Sequence, residues 1–203
     1  MPAFARRILL PLATVAVMAA TAPSALAACA GDDVAPGDPG AVAATLCLLN
    51  AQRAEHGLSA FSESATLDKA SDAYAKDMVT RRYFDHVSPG GGTFLDRIKA
   101  AGWTAPGSWS AGENIAWGSG SLGSPASIVD GWMHSPGHRA NILNGAFTQI
   151  GIGIADGAPQ AGIDDGGTYA TDFTSGTGAK RPAARCASKA SKKARAARRC
   201  VRR

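Results

Sequence analysis

Through most of the chain, apolar residues recur at the three- and four-residue spacing of amphipathic helices. Near the C-terminal end of this pattern the spacing drops to two. Ala41 to Glu55 carries Val42, Leu46, Leu49 and Ala54 close to helical spacing, and Gly57 stops it. Ser64 to Arg82 predicts a second helix, with Leu67, Ala70, Tyr74, Met78 and Val79 as its buried stripe. Thr93 to Ala101 predicts a third, with Thr93 and Asp96 as a capping box and Gly102 past its end. Ser124-Pro125 reads as N-cap and first helical residue of a fourth helix running toward Met133. Ser135-Pro136 repeats that signal and opens a short helix through Leu143. Gln149 to Ala155 alternates isoleucine with glycine, and Thr168 to Phe173 is a second strand candidate, with Asp156 to Gly167 as the hairpin loop between them. Helices first and paired strands later predict an α+β fold with an antiparallel sheet.

The N-terminus has a different pattern. Arg6 and Arg7 precede a mostly apolar run from Ile8 to Ala20, and Ala25-Leu26-Ala27 supplies the small residues a signal peptidase reads. That order predicts a secretory signal peptide over residues 1–27. The apolar run is shorter than the roughly 20 residues a bilayer span requires, and no other stretch is long and apolar enough. Leu26-Ala27-Ala28-Cys29 also fits the box preceding a lipid-modified cysteine, so a lipoprotein anchored at Cys29 is the alternative. Four cysteines remain after cleavage: Cys29, Cys47, Cys186 and Cys200. An even number in an exported chain suggests disulfides, and four allow three pairings. Cys29–Cys47 and Cys186–Cys200 close the shortest loops, and lipidation of Cys29 would leave Cys47 without its partner.

The net charge of +5 hides an asymmetry. From Lys180 to Arg203 there are eleven basic residues and no acid, while the mature body before them holds eight basic and sixteen acidic residues. The chain therefore divides into a signal peptide (1–27), a lead-in (28–40), an acidic domain (41–175) and a basic tail (176–203). The tail is either a solvated, solubilising end or a tether to anionic envelope polymers or lipids. It has no aromatic residue, which argues against base stacking and sequence-specific reading of nucleic acid.

Histidine is scarce. His56, before Gly57, suits a helix end. His134 and His138 stand four apart, but Pro136 between them would break a shared helix, so they need not share a face. His86 lies at a helix-to-loop exit, where function often sits. Glu113, in Gly112-Glu113-Asn114-Ile115-Ala116-Trp117, is flanked by apolar and small residues. Once enclosed, its charge requires donors, a cation or a proton. There is no Gly-x-Ser-x-Gly elbow, phosphate-binding Gly-Lys loop, dinucleotide fingerprint or His-Glu-x-x-His signature.

These segments, in order, resemble the CAP domain of cysteine-rich secretory proteins, antigen 5 and pathogenesis-related 1 proteins, in its bacterial SCP-like branch. The resemblance runs from about Thr45 to Phe173. Its pieces are Leu48-Leu49-Asn50-x-x-Arg53, Tyr83-Phe84-Asp85-His86 and Gly112 to Ala116, then Trp132 to Leu143 and Phe147 to Gly153. Ser135-Pro136-Gly137-His138-Arg139-x-Asn141-Ile142-Leu143 is the most specific of them. The resemblance implies an α-β-α sandwich with a central antiparallel sheet, and a cleft lined by two histidines and two acids that can hold a divalent metal. His86 matches the first histidine and Glu113 the first acid. Ala146 stands where eukaryotic members place the second histidine, and Ser135 near where they place the second acid. His138 is the candidate to supply the missing imidazole. The expected metal set is therefore His86, Glu113 and His138, holding zinc or a related divalent ion weakly. These three are also the candidate catalytic residues.

The resemblance further implies a secreted, non-enzymatic binding module of the extracellular space or cell envelope. The alternative is a metal-assisted hydrolase using the same cleft. A wall-remodelling accessory role rests on analogy alone.

Overall fold

The computed structural model describes residues 29–105 and 107–176. The signal peptide, the Cys186–Cys200 pairing and the basic tail beyond Gly176 lie outside the described residues. Five α-helices are present among them: α1 (Ala41–Glu55), α2 (Ala65–Arg81), α3 (Phe94–Ala100), α4 (Pro125–His134) and α5 (Pro136–Ile142). The strands are β1 (Ser62–Glu63), β2 (Ala111–Ser119), β3 (Gln149–Asp156) and β4 (Gly166–Thr174), in sheet order β1-β3-β4-β2. The β2–β4 and β3–β4 pairs are antiparallel, and the two-residue β1–β3 pair is parallel. The antiparallel reading thus holds for the three long strands, and one short parallel strand is added at the edge.

The helix signals act where the sequence places them. Thr93 and Asp96 form the reciprocal capping box of α3, and the Ser124 hydroxyl accepts the Ser127 N–H at the start of α4. Pro136 ends any continuation of α4 and begins α5, so the two histidines flanking it belong to different helices. β2 carries no simple period. It is mostly buried along its length, and a strand covered on both faces loses polar alternation.

The isoleucine–glycine alternation in β3 builds the sandwich. Ile150 and Ile152 join the core with Leu48, Leu49, Trp132, Tyr169 and Phe173 beneath α1, α4 and α5. Gly151 and Gly153 face α2. A Cβ at either position would come within 2.1 Å of backbone carbon in Leu67 or Ser71. Glycine therefore lets α2 lie directly on the sheet, with α3 packed beside it through Ile98 and Leu67.

Two polar anchors tie the α1 side together. Arg53 is buried, lies 3.9 Å from the Phe61 ring centre, and donates to the carbonyls of Ser59, Ile142, Asn144 and Phe147 at 2.7–3.1 Å. Asn50 accepts the Phe61 N–H at 2.7 Å. The lead-in is part of the fold. Cys29 is buried and disulfide-bonded to Cys47, and the Asp32 carbonyl accepts the Ala126 N–H. The sulfur that lipidation would need is thus in the disulfide.

Candidate functional site

The site lies at one edge of the sheet, where the exit of α2, the side of α3 and strand β2 meet. α2 ends at Arg82, whose φ of 56° turns the chain, and Tyr83 N–H closes back on the Met78 carbonyl. The Tyr74 hydroxyl donates to the Asp85 carbonyl and holds the exit loop that carries His86. Arg97 extends from α3 with its guanidinium carbon 3.2 Å from the Tyr74 ring centre, a cation–π contact.

Glu113 is the hub. Its side chain is 1% exposed. Oε2 accepts Arg97 Nη2 at 2.5 Å, and Oε1 is 2.7 Å from His86 Nδ1. The Arg97 guanidinium also donates to the carbonyls of His86 and Gly92 and to Ser88 Oγ. The same cation therefore neutralises the buried acid and fixes the loop bearing the imidazole. A carboxylate buried this far needs such compensation.

His138 is brought to the same edge by amides. Asn114 Nδ2 donates to the His138 carbonyl at 3.1 Å, and Asn141 Nδ2 donates to Asn114 Oδ1 at 2.8 Å and to the Glu113 carbonyl at 3.1 Å. Gly112 makes room for this link, since a Cβ there would stand 2.9 Å from Asn141 Oδ1. The bond to Glu113 pushes the His86 pKa up from its ordinary value, more than partial burial lowers it. Burial, and then the charge of His86, push His138 down. The rings are thus electrostatic neighbours with opposite tendencies.

The three expected residues are therefore gathered in one region, but in unequal roles. Both Glu113 oxygens are engaged by Arg97 and His86. Among the described residues, no group of three or more His, Cys, Asp or Glu side chains is placed to hold a metal ion. Glu113 faces Arg97 and His86, and the two imidazoles carry no carboxylate-to-guanidinium bond of this kind. His134 and His56 are elsewhere. His134 Nδ1 is 2.9 Å from the Asp130 carbonyl, and His56 Nε2 accepts from Arg139 at 3.1 Å.

Sequence reasoning missed Arg97, Asn141, Ser71 and Asp172. Asp172 is buried behind Glu113, with Oδ2 accepting from Ser71 Oγ at 2.7 Å and Oδ1 unpartnered. The usable signal was indirect: an enclosed Glu113 demands a cation, and Arg97 is one of few basic residues in the body.

A three-layer sandwich with this histidine–acid edge is the CAP arrangement, and the chain belongs to the cysteine-rich secretory protein family, whose family model matches residues 46–171. It is 42% identical over 109 residues to the uncharacterized protein YkwD of Bacillus subtilis, covering 54% of this chain and 40% of the relative. It is 34% identical over 109 residues to the uncharacterized membrane protein YlbC of the same organism, covering 54% and 30%. The chain thus spans less than half the length of these relatives. A crystal structure of an extracellular protein containing a SCP domain from Bacillus anthracis superposes with a TM-score of 0.56 at 30% identity, covering 66% of this chain and 40% of that one. An outer surface protein from Borrelia burgdorferi gives a TM-score of 0.52 at 21% identity, covering 64% and 87%, and supports the fold alone. No helix among the described residues is long and apolar enough to cross a membrane.

Proposed function

We propose that this chain is an exported binding module of the extracellular space or cell envelope that works without turnover. The observation that carries the reading is the burial of Glu113 with both of its oxygens engaged. With Arg97 on one oxygen, His86 on the other and its side chain 1% exposed, the carboxylate is a structural brace shielded from bulk water rather than a base open to it. Among the described residues, no hydroxyl or thiol is hydrogen-bonded to either imidazole, so the nucleophile–base pair of covalent catalysis is missing. The extracellular SCP-domain protein and the outer surface protein to which the chain is similar support the location, as does the signal-like N-terminus.

In this reading the eleven basic residues from Lys180 onward hold the acidic domain on anionic wall polymers or lipid phosphates. Counterion release makes such retention fall steeply with salt. The test is retention of the purified chain on isolated anionic cell-wall polymer across a salt gradient, beside a form ending at residue 176. Elution of the intact chain at higher salt than the short form is expected, and co-elution of the two would remove the tether.

One observation favours a second reading. Glu113 orients His86 through Nδ1, as outer-shell carboxylates orient metal-binding histidines, and His138 lies near. In this reading His86 and His138 would hold a divalent ion such as zinc weakly, with Glu113 as buttress. A bound ion would polarise water for hydrolysis. Isothermal titration with zinc chloride decides it: heat that disappears in both His86→Ala and His138→Ala supports the reading, and no heat in the parent chain ends it.

A further inference from the structure

Arg53 is a buried cation without an acid. It is 2% exposed, and its acceptors, the carbonyls of Ser59, Ile142, Asn144 and Phe147, are all neutral. Among the described residues no carboxylate forms a salt bridge with it. A charge so placed favours any change that brings a negative group to it. One of its acceptors belongs to a peptide bond able to make such a change.

Asn144 is followed by Gly145, the one Asn-Gly pair in the chain. Asn144 Oδ1 accepts the Ala146 N–H at 2.9 Å, an Asx turn that folds the side-chain amide back over the Gly145 peptide. The Asn144 main-chain carbonyl accepts Arg53 Nη1 at 3.0 Å and the Phe147 N–H at 3.2 Å. Gly145 is exposed, and its own N–H donates to no group among the described residues.

Both halves of a ring closure are therefore prepared. Loss of the Gly145 amide proton puts negative charge on the Asn144 carbonyl oxygen, where the Arg53 guanidinium already stands. Attack of that nitrogen on Asn144 Cγ puts charge on Oδ1, where the Ala146 N–H stands. Comparable positions lack this arrangement. Asn50, Asn114 and Asn141 lie within α1, β2 and α5, and Gly157, which follows Asp156, has its N–H bonded to the Gly166 carbonyl.

We propose that Asn144-Gly145 is a self-modification site, where the chain rearranges through a succinimide to isoaspartate and gives Arg53 a carboxylate. The bond from Gly145 N to Asn144 Cγ forms and the bond from Cγ to Nδ2 breaks. The Gly145 proton passes through water to the departing nitrogen, which leaves as ammonia. Water then opens the ring at the former main-chain carbonyl, breaking its bond to Gly145 N. The carboxylate released is built on the carbonyl that Arg53 holds. The site uses neither imidazole nor the tail, so its fate is separate from that of the binding reading.

The purified chain is held at mildly alkaline pH beside a synthetic peptide of residues 139–149. Isoaspartate is measured by methyl transfer from an isoaspartyl methyltransferase and located by mass spectrometry of the digested chain. It should accumulate at Asn144 about tenfold or more faster in the folded chain than in the peptide, as one charge-assisted hydrogen bond to a developing anion supplies. The ratio of isoaspartate to aspartate should also be higher in the folded chain, because isoaspartate is the product with its carboxylate at Arg53. Gly145→Ala should keep the fold, since a Cβ there would meet Leu58 Cδ2 at an ordinary 3.6 Å. It should slow the reaction about tenfold or more by crowding the attacking nitrogen. The proposal is overturned if the folded chain reacts no faster than the peptide, if the two give the same product ratio, or if Gly145→Ala rearranges as fast as the parent.

Discussion

Glu113 on β2 and Asp172 on β4 stand directly opposite each other in the antiparallel register, yet their carboxyl groups are kept in different states. Glu113 has a guanidinium and an imidazole. Asp172 has one hydroxyl, from Ser71. Burial, and then the charge of Glu113, push its pKa up to about 8, so it holds a proton at neutral pH. One cation cannot serve two buried carboxylates equally: Arg97 pairs with Glu113, and Asp172 is left to keep its proton.

The sign of the pH effect follows. Between about pH 4, the ordinary aspartate value, and about pH 8, folded Asp172 keeps a proton that the unfolded chain releases. Its contribution to stability therefore declines as pH rises through that window. Asp172→Asn imitates the protonated form and does not titrate. Thermal melts should show little change near pH 4 and a gain of about 1–3 kcal/mol at pH 8. Equal destabilisation at both pH values would mean that Asp172 is charged when folded.

Arg97→Ala strands Glu113 in the sheet and releases the carbonyls of His86 and Gly92. Removing one partner of a buried pair costs about 3–5 kcal/mol. Adding Glu113→Gln should recover part of the loss, since the residue left behind is no longer a charge. Denaturant unfolding of both singles and the double variant gives the coupling, and simple additivity would show that the two side chains do not act as a unit.

The helices were legible because caps and periods are local. Thr93/Asp96, Ser124-Pro125 and Pro136 each mark a boundary within a few residues of the atoms they satisfy. β2 was not legible: mostly buried along its length, it lacks the alternation that reveals a strand. The site was half legible for the same reason. His86 and Glu113 stand out from their neighbours, while Arg97 sits in an ordinary amphipathic turn and becomes significant once α3 is laid against β2. How Glu113 is braced also required knowing its partners, which come from sixteen and twenty-seven residues away.

The two imidazoles should separate in an NMR titration, His86 above the ordinary histidine value and His138 below it. For His86, raised by the folded state, the stabilisation is fully present below about pH 6.5 and lost as pH rises through its folded pKa. For His138 the sign reverses, with stability lost as pH falls below about 6.5, where the unfolded ring gains a proton more readily. The two partly cancel, and half-exposed His86 adds little. Glu113→Gln should return His86 toward the ordinary value; an unchanged titration would contradict the bond as its cause.

Cys29–Cys47 closes a loop between residues 18 apart and pins the lead-in under α1. Cys47→Ser should cost about 2–4 kcal/mol by releasing that loop in the unfolded chain. Mass spectrometry of the exported parent should show a cysteine-linked peptide pair. A diacylglycerol adduct on Cys29 would replace this disulfide with the lipoprotein alternative.

Gly153 and Gly131 make a matched pair for the packing argument. A Cβ at Gly153 would lie 2.1 Å from the backbone carbon of Ser71, whereas one at Gly131 has nothing within 4 Å. Backbone in the middle of a helix cannot swing aside as a long side chain can, so α2 must lift from the sheet as a body. Gly153→Ala should therefore cost about 3 kcal/mol or more. Gly131→Ala, in the middle of α4, should gain up to about 1 kcal/mol from helix propensity. The lifting of α2 also carries Ser71 away from Asp172 and Tyr74 away from Arg97. Gly153→Ala should thus disturb the His86 titration from a strand separated from β2 by β4. A destabilised Gly153→Ala chain with an unaltered His86 would confine the role of the close α2–β3 contact to packing.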